Sequence, residues 1–298
     1  MKLSKNNSRA DIPVFLVINA DDFGVSLGTN RGIERAHRKG LLTSTSIMPS
    51  GPAFDDAVKV ARRNPRLGIG IHLSLTWGNS CLPKKTIPDL VDSDQYFYPS
   101  FLGLIVKIIF KKVARIQIRK EFEAQIQRVL KAGIKPDHLN GQVHVHFFPY
   151  VFPIVLSLAK KYKISYVRIP LEPLFATPTF TSFVKWGFLQ MIGIILRTRS
   201  ELPKNDVRFF GVLFTSKMTK DIIKKIVQLK ENSIVEILSH PGEHNLRKTN
   251  FSYTRQRVDE FLLSKSRLLE LIALTNKELL TYIKSRNFKL TTFAGLKS

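Results

Sequence analysis

The chain has 298 residues, 44% hydrophobic and 23% charged, which is ordinary for a globular protein and enough for one large domain. Its 47 lysines and arginines against 23 aspartates and glutamates give a net charge of +24. A single cysteine, Cys81, excludes an intramolecular disulfide framework and suits a reducing, cytoplasmic setting. The charge attracts polyanions, but no zinc-finger spacing, RNP-like strand or basic coiled coil accompanies it, so no specific nucleic-acid partner is expected.

The basic start, Met1 to Arg9, is interrupted by Asp11 and Pro13 and does not read as a signal peptide. The apolar run 14–18 predicts a strand buried on both faces. It leads into Asn19-Ala20-Asp21-Asp22-Phe23-Gly24. Adjacent residues at a strand end point apart, so one Asp can hold a metal while the other takes a proton from water. The plain alternative is one helix cap and one solvated turn residue. A helix over about 28–39 follows, with Ile33 and Ala36 inward and His37 half-exposed near its end. Residues 42–48 read as a second strand, 52–63 as a helix, and 67–73 as a third strand with His72 near its carboxyl end.

Residues 77–98 are loop-like, and 101–112 is apolar before a basic helix that runs to about 131. The segment 136–140 predicts a short fourth strand running into Gly141-Gln142-Val143-His144-Val145-His146. On an extended segment His144 and His146 share a face and make a usable metal pair; alternatively one is structural and the other a rim residue. A helix over 149–162 and a strand over 165–169 come next. Residues 171–206 fit no strand–helix unit, and within them 183–196 is apolar nearly all round. That stretch is shorter than the roughly 18 residues a membrane span needs, so it packs in a core or lies in a membrane interface. The alternation then resumes: strand 208–213, helix 219–230, and strand 233–239 ending in His240-Pro241-Gly242-Glu243-His244. Helices over about 255–271 and 276–286 and a last strand over 288–293 complete the chain.

Strand and helix alternate through about seven or eight strands, which predicts a mostly parallel α/β fold, a (β/α) barrel or an open doubly wound sheet. No dinucleotide fingerprint or phosphate-binding loop follows the first strand. Asp21, Asp22, His72, His144, His146 and His240 follow or end four different strands, where barrel active sites are assembled. The combination points to a metal-assisted hydrolase.

The same residues carry a resemblance. Asn19-Ala20-Asp21-Asp22-Phe23-Gly24, the 42–46 stretch, Gly70-Ile71-His72-Leu73, the 140–149 stretch and Glu236-Ile237-Leu238-Ser239-His240-Pro241-Gly242 resemble, in order, the motifs of the YdjC-like carbohydrate deacetylase family. Val167-Arg168-Ile169-Pro170-Leu171-Glu172-Pro173 is most similar to the hopanoid-biosynthesis-associated branch, thought to act on N-acetylglucosaminyl lipid. The resemblance implies one distorted TIM-type barrel domain over 1–298, with insertions at about 77–112 and 171–206. It implies removal of acetyl groups from an N-acetylated sugar with a divalent cation, Mg²⁺ first, with Zn²⁺ or Mn²⁺ as alternatives. Carried over by motif, Asp21 is the general base, Asp22 and His72 are metal ligands, and His240 is the acid for the departing amine or orients one. His146, Arg168 and Glu236 are expected to bind substrate. Gln142 stands where the family has a third histidine ligand, so Gln142 ligates through its carbonyl or His144 substitutes. The alternative is a catalytically impaired sugar- or lipid-binding barrel that lost its metal ligand at Gln142. Contact with an anionic membrane from the inner face follows from the two apolar segments and the charge, and a homodimer from the habits of related barrels.

Overall fold

A computed structural model describes residues 14–98, 101–110, 112–176, 179–204, 206–229, 234–243, 264–286 and 288–297. His244 and the first part of the helix predicted from 255 lie outside them. The strands are β1 (Val14–Phe23), β2 (Ser44–Ile47), β3 (Gly68–Leu73), β4 (His138–Gly141), β5 (Tyr166–Val167), β6 (Val207–Phe210), β7 (Ile234–Ser239) and β8 (Phe288–Leu290). The helices are α1 (Leu27–Lys39), α2 (Phe54–Arg63), α3 (Phe101–Phe110), α4 (Lys112–Lys131), α5 (Phe152–Lys161), α6 (Phe180–Thr198), α7 (Lys220–Gln228), α8 (Lys265–Leu274) and α9 (Lys277–Lys284).

The strands run in the order β5-β4-β3-β2-β1-β7-β6, parallel at every pairing, with β8 beside the start of β1. This is the expected distorted (β/α) barrel, curled as a half-barrel with helices around it. Leu16, Val17 and Ile18 of β1 are fully buried, as a strand covered on both faces requires. Register aligns the carboxyl ends: Ala20 pairs with Thr45 and Ser239, and His72 pairs with Asn140. The ends of β1, β3, β4 and β7 therefore stand side by side. Gly70 makes room inside the curl, since a Cβ there would lie 2.3 Å from the His138 ring.

Four expectations need correction. The segment after β4 is not extended: Gln142–Phe147 is a tight 3-10 turn, with Val143 and His144 in left-handed backbone at φ 46° and 58°. His144 and His146 therefore do not share a strand face. The fifth strand shrinks to two residues, Tyr166–Val167. The last strand ends at Leu290. The apolar 183–196 stretch is neither wholly core nor wholly outside: α6 buries Leu189, Ile192 and Leu196 and exposes Val184, Met191 and Ile194. Thr179 caps this helix by accepting from the Ser182 N–H. No helix among the described residues is long and apolar enough to cross a membrane.

Candidate active site

A cavity of about 460 Å³ opens over the carboxyl ends of the strands. Asp21, Asp22, His72, Gln142, His144 and His240 line it, with Val25, Met48, Trp77, Phe148, Phe188, Leu189, Ile192, Val212 and Leu238 as apolar wall. The two aspartates part because the register of β1 shifts between Ala20 and Phe23 and Asp22 adopts φ 68°.

Asp21 is held from below on all sides. It accepts from Asn19 Nδ2 at 2.9 Å and Asn140 Nδ2 at 2.9 Å, and from Arg168 Nη1 at 2.7 Å and Nη2 at 3.0 Å. Arg168 Nε donates to Glu236 Oε1 at 2.7 Å, and the Tyr166 hydroxyl donates to Glu236 Oε2 at 3.1 Å. Burial works to raise the Asp21 pKa, but the Arg168 guanidinium and the nearby His72 outweigh it and hold the carboxyl well below the usual range. Asp21 is thus an ionised, immobile carboxylate.

Asp22 faces the other way. Its Oδ2 pairs with Arg267 of α8, and its Oδ1 lies 3.5 Å from His72 Nε2. Burial opposes its ionisation, and Arg267, with His240 and His72, lowers its pKa nonetheless. The tautomer of His72 follows from its partners. Asn140 spends its amide hydrogens on Asp21 and Ser46, so its carbonyl accepts from His72 Nδ1 at 2.7 Å. His72 Nε2, the ring's other nitrogen, lies 3.5 Å from Asp22 Oδ1.

His240 follows β7. Its backbone N–H donates to Glu270 Oε2 of α8 at 2.5 Å. Burial pushes the Glu270 carboxyl up to about 7. Burial also pushes the His240 imidazole down to about 4, against the pull of Asp22 and Asp21. The resting ring is therefore neutral. On the β4 side, Gln142 Oε1 accepts from the Thr76 hydroxyl and lies 3.5 Å from Ser74 Oγ. His144 Nδ1 is buried with no hydrogen-bond partner.

A family model described as "YdjC-like protein" matches residues 15–285. The chain belongs to the YdjC-like family. It is 33% identical over 282 residues to a carbohydrate deacetylase of Brevibacillus brevis, covering 94% of this chain and 99% of that one. It is 32% identical over 276 residues to a carbohydrate deacetylase of Geobacillus stearothermophilus, covering 91% and 98%. Among solved structures, an Enterococcus faecalis protein described as a candidate for cellobiose-phosphate cleavage superposes with a TM-score of 0.70 at 26% identity, over 95% of this chain and 99% of that one.

Does this YdjC-like site fit the cation that its family resemblance implies? Among the described residues no three His, Cys, Asp or Glu side chains form a metal-sized cluster. Asp22 Oδ1 and His72 Nε2 nevertheless line the same cavity 3.5 Å apart, a carboxylate oxygen and an imidazole nitrogen of the types that hold a divalent cation. Asn140 fixes the His72 ring from behind, the usual outer support of a metal histidine. On the same wall stand the Gln142 carboxamide and the unpartnered His144 Nδ1. These carboxylate, imidazole and carboxamide groups are of the types that fit a divalent cation.

Three residues expected to touch substrate do not reach the cavity. His146 is fully buried, with Nε2 3.0 Å from the Arg168 carbonyl, and burial pushes its ring down to about 3. Arg168 and Glu236 are also fully buried, beneath Asp21. All three lie below the floor: His146 on the 3-10 turn, Arg168 just after β5, and Glu236 within β7. The sequence reading did not single out Asn19, Ser46, His138, Asn140, Tyr166, Arg267 or Glu270. The buried polar residues Asn19 and Asn140 sit at carboxyl ends of predicted strands, a readable signal; Arg267 and Glu270 sit on a helix with none. Ser46, His138 and Asp137 form a serine–histidine–aspartate line at 2.9 and 2.6 Å. Ser46 is fully buried and does not line the cavity, so this is internal scaffolding and not a nucleophile.

Proposed function

We infer that the protein is a cation-dependent hydrolase that removes the acetyl group from an N-acetylated sugar of the N-acetylglucosamine type. Deacetylation of a carbohydrate is the activity named for its Brevibacillus and Geobacillus relatives. The observation that carries the finer reading is the 3.5 Å approach of Asp22 Oδ1 and His72 Nε2 beside the Arg168-clamped Asp21.

Asp22 and His72 would hold the cation, with Gln142 or His144 as the further donor. When bound, such a cation polarises the acetyl carbonyl and acidifies water. Asp21 would receive the proton of the attacking water, and the Arg168 guanidinium keeps it ionised. A carboxylate so weakly basic would need a donor more acidic than free water, the chemistry that a bound cation would supply. His240, neutral at rest, delivers to the departing nitrogen only a proton gained during turnover. Trp77, Phe148 and Phe188 offer aromatic faces to the C–H side of a sugar ring. The apolar wall suits a sugar carried on a hopanoid or other lipid.

The test is acetate release from N-acetylglucosamine oligomers. Chelation abolishes it, and Mg²⁺, Mn²⁺ or Zn²⁺ restores it. Full activity after exhaustive chelation would overturn the cation-dependent reading. Sugar binding with no acetate release under any of the three metals would put the impaired-barrel alternative in its place.

A further inference from the structure

Helix α6 has two apolar sides in different surroundings. Its inner side places Phe188, Leu189 and Ile192 in the wall of the active-site cavity. Its outer side carries Phe180, Phe183, Val184, Met191 and Ile194, each between 45% and 81% exposed. At about 3.6 residues per turn these five positions fall on one stripe, with Gly187 inside it. A helix on a water-facing surface ordinarily turns polar side chains outward; here the outward side is apolar along most of its 19 residues.

The charges within α6 are of one sign. No acidic residue occurs in α6, and its charged residues are Lys185 and Arg197. At its carboxyl end Arg197 joins Lys204 and Arg208 around a concavity of about 350 Å³. The other walls of that concavity are apolar, Leu171 and Leu202 among them, and no carboxylate among the described residues lines it.

We propose that α6 seats the protein on an anionic lipid bilayer, the outer stripe in the headgroup–acyl boundary and the Arg197–Lys204–Arg208 concavity on lipid phosphate. An apolar stripe bordered by cations is the pattern of a helix that lies in a membrane interface. The net charge of +24 draws the protein toward such a surface. A second copy of this chain is the poorer occupant, because stripe-on-stripe contact would face Lys185 and Arg197 with their own like charges. The seated helix is also a wall of the cavity, so docking would bring the site to the surface where a lipid-borne sugar resides. The docking itself does not depend on the deacetylase reading.

The experiment is co-sedimentation of the full chain with phosphatidylcholine vesicles, with and without phosphatidylglycerol, beside two variants. Wild type pellets with the anionic vesicles at low salt and is largely released at high salt. The Phe180→Ser/Val184→Ser/Ile194→Ser variant binds at least about tenfold more weakly, the loss expected from removing buried apolar side chains. The Arg197→Gln/Lys204→Gln variant loses most of the phosphatidylglycerol dependence. All three variant positions of the stripe are exposed, so the thermal midpoint stays at the wild-type value. Wild type left in the supernatant with anionic vesicles at low salt overturns the proposal, as does a serine variant that pellets like wild type. A wild-type dimer in sedimentation velocity that the serine variant dissolves would assign the stripe to a second copy and overturn it as well. Acetate release from soluble oligomers is read separately, so failure of the chemistry and failure of the docking are distinct results.

Discussion

Asp21 and Asp22 show how much one peptide bond can separate. Both are buried carboxylates with lowered pKa values, yet Arg168 holds one and Arg267 the other. The two guanidiniums come from different elements, Arg168 just after β5 and Arg267 on α8, and the left-handed backbone at Asp22 lets each carboxylate meet its own. Asp21→Asn keeps the shape and most of the hydrogen bonds but cannot accept a proton. Acetate release should fall by at least ~10², while bound metal, read by elemental analysis, stays at the wild-type level. Loss of metal together with activity would instead make Asp21 a ligand. Gln142 is the second informative residue. Its carbonyl is engaged by the Thr76 hydroxyl, which weakens it as a donor to a cation. Gln142→His should raise divalent-metal affinity by about tenfold or more, measured by calorimetry, since even outer partners of ligands are worth that much. An unchanged affinity would mean that His144 already fills the position.

At the scale of elements, the strand order and the site were legible to different depths. Strands β1, β3 and β7 are visible as apolar runs because parallel strands buried on both faces admit few polar residues. Asp21, Asp22, His72 and His240 were legible because charges at strand ends break those runs at the rim of the barrel. The 142–147 turn was not, since nothing in Gln142-Val143-His144 announces two consecutive left-handed residues without glycine. Nor was the role of Glu172. Its carboxylate accepts from the N–H groups of Gly211, Val212 and Leu213, while its carbonyl accepts from Trp186 and Gln190 of α6. One residue thereby ties a helix and a loop that both line the cavity, which is why the segment read as an insertion packs as part of the site. Burial pushes that carboxyl up to about 7 despite its three backbone donors.

Across the whole molecule, buried titrating groups act in opposite directions. Glu121 on α4, Glu172 before α6 and Glu270 on α8 are each raised by burial from 4.5 to about 7. His144 lies well below 6.5, His146 falls from 6.5 to about 3, and His240 falls from 6.5 to about 4, all chiefly by burial. Between pH 4.5 and 6.5 the folded protein keeps carboxyl protons that the unfolded chain has released, so those groups make stability fall as pH rises. In the same window the unfolded chain holds imidazole protons that the folded protein has shed, so the histidines make stability rise with pH. Three carboxyls against three imidazoles leave little net slope. Below pH 4.5 the carboxyl contribution is complete and constant, while Asp21 and Asp22 add to the histidines, because the unfolded chain takes up protons near 3.8 that the folded protein refuses. Urea-unfolding free energies of the chelated protein should therefore be nearly flat from pH 4.5 to 6.5 and fall steeply on the acid side. Glu121 does not line the cavity and serves as the probe, bonded to the Cys81 and Leu82 N–H groups and to Gln125. Glu121→Gln costs stability at every pH by losing an acceptor, but it also removes one carboxyl from the balance. Relative to wild type its stability should then climb with pH through the window, by about 1.4 kcal/mol per pH unit. Two parallel profiles would show that Glu121 titrates in the folded protein as it does in the unfolded chain, and that the balance of buried charges lies elsewhere.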